Sequence, residues 1–175
     1  MPTRTFVLVL AFLLAGLTAS GAPPAPPQDL TLTMDDGVTI ACSFLPSQAP
    51  LSERPAAGWP AVILFGARGP EPLPFVELVA AAGYTTLTCD PRGQGASGGL
   101  FDLDGPRSIA DVRQEFDWLA SQPDVDGKHI GAWGSSLGGG AILNSVLAGV
   151  PWVAVEVAET WVDLYRALAP NDLVK

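Results

Sequence analysis

Leu30, Leu32 and Met34 alternate with threonines, and Val38, Ile40, Cys42 and Phe44 alternate again after Asp35-Asp36-Gly37. Alternation with period two marks strands buried on one face, and Asp-Gly marks a tight turn, so residues 30–44 are predicted to form a hairpin. Pro46 to Pro60 has no periodicity and reads as a loop. Ala61-Val62-Ile63-Leu64-Phe65 is apolar throughout, as expected of a strand covered on both faces. Phe75, Leu78, Val79 and Ala82 fall at helical spacing behind Pro74, and Gly83 supplies the stop.

Tyr84 to Cys89 is the next predicted strand. A helix follows, with Ile109, Val112, Phe116 and Leu119 on one stripe. Ser108 and Asp111 have the spacing of a capping box for its start, and Gln122-Pro123 ends it. His129 to Trp133 reads as a strand, Leu137 to Leu147 as a helix, and Trp152 to Val157 as a strand. Strands and helices thus alternate from residue 61 onward. This predicts an α/β fold, with a mostly parallel sheet and flanking helices.

Between the last strand–helix pair lies Gly134-Ser135-Ser136-Leu137-Gly138, a G-x-S-x-G pattern. In this context it has the form of a nucleophile elbow, a turn so tight that its flanking positions must be glycine. Ser136 is the expected nucleophile, and its hydroxyl needs a neighbouring base to take its proton. The backbone N–H of Leu137 is the expected first donor of an oxyanion hole, with a second from Phe65-Gly66-Ala67-Arg68-Gly69. Gly93 to Gly98 also matches G-x-G-x-x-G. It follows Asp90-Pro91-Arg92 and precedes no helical pattern, so it is not a dinucleotide fingerprint.

Three segments together resemble an α/β-hydrolase of the Xaa-Pro dipeptidyl-peptidase-like (S15) and CocE/NonD acyl-esterase branch. They are Asp90-Pro91-Arg92-Gly93-Gln94-Gly95-Ala96-Ser97-Gly98-Gly99, the helix ending Asp117-Trp118-Leu119-Ala120 before Pro123, and Gly127 to Gly139 around the elbow. The resemblance implies an α/β-hydrolase fold of which residues 30–175 are the N-terminal portion, truncated before the last strands. It implies an ester, amide or peptide as substrate, with Ala67 as the second oxyanion donor. No organic cofactor and no metal are implied. The elbow carries Leu137 where many dipeptidyl-peptidase relatives carry tyrosine, so proline-specific cleavage does not transfer.

In such hydrolases the order is serine, acid, histidine. His129 is the only histidine; it precedes the serine and reads as a surface residue at a strand entry. Asp163 and Asp172 follow Ser136 but belong to the segment directly after the sixth strand, whereas the resemblance places the acid further on. Trp161, Asp163, Tyr165 and Arg166 read as the start of a further helix. The expectation is an incomplete and inactive piece of a longer serine hydrolase, with a non-catalytic binding module as the alternative.

Composition adds a compartment and removes a class of partner. The 175 residues are 48% hydrophobic and 15% charged, with net charge −9 and no basic cluster, which argues against nucleic acid as a partner. Thr5 to Ala15 is apolar behind Arg4, too short for a span of about 20 residues, and precedes small residues around Gly21. Residues 1–21 therefore read as a secretory signal peptide and 22–29 as a proline-rich lead-in, giving a secreted or periplasmic protein with no stable membrane association after cleavage. Export puts Cys42 and Cys89 in an oxidising compartment. One disulfide and two separate buried thiols both fit, and the sequence reading leans to separate thiols.

Overall fold

The computed structural model describes residues 25–66 and 69–169. The proposed signal peptide, Ala67 and Asp172 lie outside them. Six strands form one sheet: β1 (Gln28–Thr33), β2 (Thr39–Leu45), β3 (Trp59–Phe65), β4 (Thr85–Cys89), β5 (Val125–Ser135) and β6 (Val155–Ala158). Their order is β1-β2-β4-β3-β5-β6. The hairpin strands pair antiparallel, β2 also runs antiparallel to β4, and the remaining pairs are parallel. The main helices are α1 (Leu73–Ala81), α2 (Pro106–Ala120) and α3 (Leu137–Leu147), with the short α4 (Leu164–Leu168) last. Among the described residues no helix is long and apolar enough to cross a membrane.

The predicted strands fall where continuous or alternating apolar residues demand burial. Ile40, Ile63, Leu87 and Ile130 come from four different strands, and with Leu119 of α2 they are almost wholly inaccessible. Trp118 and Trp152 close the edges of this core, meeting Phe44 and Phe116 edge-on at 5.4 and 5.0 Å between ring centres. Trp152 does so from outside the sheet. The sixth strand therefore begins at Val155, three residues later than its apolar run suggests. In β4 every residue is buried although three are threonines. Their hydroxyls are used: Thr86 donates to the Leu45 carbonyl at 3.3 Å, and Thr88 accepts from the Glu71 amide at 3.0 Å.

Two further expectations are corrected. The capping box of Ser108 and Asp111 does not form, because Pro106 opens α2 two residues before Ser108, with Gly105 at the cap position. Proline lacks the N–H that an N-terminal cap would have to satisfy and its φ is already helical. Asp102 does the capping instead, accepting from the amides of Arg107 (3.0 Å) and Ser108 (3.3 Å) and from the Ser108 hydroxyl.

The second correction concerns the cysteines. Cys42 and Cys89 are bonded to each other. The antiparallel register of β2 and β4 sets them directly opposite, so their side chains emerge on one face at one level. Periodicity along β2 supplies the face; only the strand order supplies the partner. Closing a separation of 47 residues restricts the unfolded chain by about 4 kcal/mol. Full reduction should lower the urea midpoint accordingly, and an unchanged midpoint in the verified dithiol form would disprove that contribution.

Candidate active site

The elbow is built by β5, which delivers Ser135 as its last residue, and by α3, which starts at Leu137. Between them Ser136 has φ 50° and ψ −115°, a left-handed conformation that residues with a side chain rarely hold. Neighbouring elements hold it there. The Ser136 amide donates to the Ala158 carbonyl at the end of β6 at 2.9 Å. Its carbonyl accepts from the Gly140 amide at 3.1 Å and from the Thr160 hydroxyl at 2.7 Å. Ser136 itself is half-buried.

Two glycines make the turn possible. A Cβ on Gly134 would stand 2.8 Å from the backbone of Gly138, and one on Gly138 would collide with the Phe65 carbonyl. Strand and helix thus approach to backbone contact at the point where the serine projects. Gly138→Ala forces β3 and α3 apart and is expected to lower stability by about 1–3 kcal/mol. Urea unfolding measures this, and a variant as stable as the parent would contradict the packing described.

Leu137 provides the first amide of α3, and the opening amides of a helix have no partner within it. They are therefore available to an oxyanion, at the favourable end of the helix dipole. Phe65 pairs in register with Gly134, so the end of β3 and the following Gly66 lie beside the elbow. Ala67, the expected second donor, and Arg68 are outside the described residues.

Asp90 and Arg92 take structural roles. Asp90 accepts from the Ala96 amide at 2.7 Å, and residues 93–98 close on themselves through the Gly93 amide and Gly98 carbonyl at 2.8 Å. The glycine pattern there folds as a turn against β2, with the Gly98 amide on the Thr39 carbonyl, and opens no helix. Arg92, only 5% exposed, grips Asp111 through two nitrogens at 2.7 and 2.6 Å and reaches Asp36 at 2.8 Å. Burial draws the Asp111 carboxyl upward against the pull of Arg92, and the two-point geometry keeps the pair ionised.

His129 stands on the wrong end of β5. Six strand residues lie between it and Ser136, and the seven steps span about 23 Å at the rise of an extended chain. It is 65% exposed and its Nδ1 lies 2.7 Å from Asp126, whose carboxyl it holds below the usual range. Asp163 caps α4, accepting from the Arg166 amide at 3.0 Å, and Tyr165 and Arg166 lie exposed on that helix. Trp161 instead lies against Gly140 of α3. Thr160, which clips the Ser136 carbonyl, carries no signal in the sequence. Its role depends on β6 lying next to β5.

The chain matches the X-Pro dipeptidyl-peptidase (S15 family) model over residues 26–175 and belongs to that family. It is 40% identical over 65 residues to the thiohydrolase apmlB of Arthrinium phaeospermum, a match covering 36% of this chain and 21% of that one. The α/β hydrolase GrgF from Penicillium sp. sh18 superposes with a TM-score of 0.69 at 23% identity, over 81% of this chain and 48% of GrgF. The Pyrococcus furiosus esterase Pf2001 does so with 0.68 at 20% identity, over 83% and 56%. At such identities the structural likeness is one of fold, and the fold is that of an α/β hydrolase. The chain spans a fifth to a quarter of the curated relatives it matches and about half of these solved hydrolases.

Proposed function

We propose that Ser136 is the nucleophile of an exported serine hydrolase that cleaves an ester or amide through an acyl-enzyme. Membership of a hydrolase family makes the chain's class that of a hydrolase. The observation that carries the finer reading is the left-handed Ser136 between β5 and α3. In the reaction the Ser136 oxygen attacks the substrate carbonyl carbon while a base removes its proton. The negative charge that develops on the carbonyl oxygen falls to the Leu137 amide, with Ala67 as the second donor. Collapse of the tetrahedral adduct expels an alcohol or amine carrying the proton, and water then releases the acid.

The base and its orienting acid come from outside the 175 residues in this reading, since the only histidine is remote from the elbow and paired with Asp126. These residues alone therefore turn over substrate negligibly. The apolar Thr5–Ala15 segment directs export, and the mature protein starts near Ala22. The isolation of His129 equally favours a second reading, a hydrolase fold used only to bind ligands. A fluorophosphonate probe separates the two. Labelling of the full-length gene product that disappears in Ser136→Ala supports catalysis. A well-folded full-length product that stays unlabelled supports the binding module.

A further inference from the structure

Helix α2 turns carboxyl groups inward along with its apolar stripe. Asp111 and Glu115 are 3% and 4% exposed. Asp111 is held by Arg92, but Glu115 Oε2 is buried without a hydrogen-bond partner among the described residues. The same is true of Oδ2 of Asp104, which lines the same cavity of about 40 Å³. Leu137, Gly138 and Ala141 form another wall, so the cavity lies directly against the first turns of the nucleophile helix.

An ionised carboxylate sealed away from partners is far more costly than a neutral acid, which can donate a proton to a single oxygen. A water molecule needs only about 15 Å³, so the cavity has room for water that accepts a hydrogen bond from each neutral acid. Arg92, the cation on the wall, is already committed to Asp111 and Asp36. No three metal-ligating side chains converge among the described residues, which points to protons and water as the ligands. Burial, and then the charge of Asp102, pushes Asp104 up to about 7. Burial, and then Asp111, pushes Glu115 up to about 8.

Asp104 also fastens its loop to the helix. Leu103 and Asp104 are both left-handed, with φ 54° and 58°. Two such residues in succession store strain that the docked loop must withstand. Two contacts withstand it: Asn144 of α3 donates to the Asp104 carbonyl at 3.1 Å, and Asp104 Oδ2 packs where Gly140 leaves no room for a Cβ.

We propose that Asp104 and Glu115 form a hydrated, proton-holding site beneath the nucleophile helix, and that loss of its protons releases the 99–105 loop from α3. The direction follows from linkage. Exposed Asp titrates near 3.9, whereas the docked group keeps its proton to about 7. Between these values the docked state holds a proton that the open state lacks, so opening becomes about tenfold easier per pH unit and then levels off. Glu115 adds the same slope up to about 8 for openings that expose it.

The other charged groups facing the site stay as they are across this range. Burial opposes the ionisation of Asp102, but its hydrogen bonds from Ser108 and Arg107 hold it below the usual range. Arg92 remains on Asp111, and Arg107 remains on Asp35. Helix α3 presents Asn144 and no charge.

Amide exchange of residues 140–142 in the 175-residue chain, corrected for intrinsic rates between pH 5.5 and 8, tests this without any turnover. Protection should fall by up to a hundredfold per pH unit below pH 7, about tenfold from each carboxyl, and by about tenfold between pH 7 and 8, where Glu115 alone still holds its proton. Asp104→Asn, permanently neutral and tolerant of a left-handed backbone, should lessen the slope below pH 7. Glu115→Gln should flatten the part between pH 7 and 8. Protection independent of pH, or an unaltered slope in both variants, overturns the proposal. Should the variants not fold, the infrared spectrum of the parent decides. A protonated-carboxyl stretch persisting at pH 6 is expected, and its absence from the folded protein overturns the proposal.

Discussion

Replacing Ser136 with alanine is expected to reduce ester hydrolysis by the full-length gene product by about 10⁶-fold, the scale on which loss of a nucleophile silences a serine hydrolase. Stability should hardly change. What fixes the elbow is the backbone of residue 136, through Ala158, Gly140 and Thr160, and none of those bonds uses the serine hydroxyl. The left-handed backbone is equally strained for alanine and serine, so the variant should unfold within about 0.5 kcal/mol of the parent. Steady-state kinetics on an activated ester, beside urea unfolding of the same preparations, checks both halves. Activity surviving within tenfold would mean that another group attacks the substrate.

Arg92→Ala is expected to have the largest effect on folding of the changes considered. The guanidinium is 5% exposed and Asp111 is equally inaccessible, so truncation strands a buried carboxylate. Breaking such a pair from one side costs about 3–5 kcal/mol. Arg92→Lys should recover little, since an ammonium cannot reproduce the two-point grip on Asp111 while also reaching Asp36. Asp36→Asn provides the contrast. That carboxylate is 31% exposed at the outer end of the network, and its removal should cost about 1 kcal/mol or less. Urea midpoints of the three variants give the ranking, and an Arg92→Ala protein as stable as Asp36→Asn would refute it.

How far the sequence could be read depended on how local the deciding interaction was. The run 61–65 and the helix 137–147 were legible because burial of each is written in its own residues. The elbow was legible for the same reason: Gly134 and Gly138 are needed by contacts with residues a few positions away and with the end of β3. The Cys42–Cys89 bond was not, because nothing in either strand says that β2 lies beside β4. Thr160 was hidden likewise, its bond to Ser136 spanning 24 residues through the adjacency of β5 and β6.

Helix α2 shows a subtler limit. Its apolar residues mark a stripe through Val112, Phe116 and Leu119, and that stripe is buried as expected. Asp111 and Glu115 lie on the same face and are buried with it. One is accounted for by Arg92, from a loop 19 residues earlier, and the other by a cavity that forms only when α2, α3 and β4 are assembled. A hydrophobicity pattern assigns such residues to solvent, since it has no means of knowing that an acid has a cation or a proton waiting for it.

The central claim, that the turn at residue 136 presents a reactive hydroxyl, is tested most directly by peptide mapping of the full-length product after reaction with a fluorophosphonate. The account predicts a single phosphonylated site, at Ser136, formed at a rate that falls with acidification as the base becomes protonated. Modification at any other residue, or none in protein shown to be folded, would contradict it.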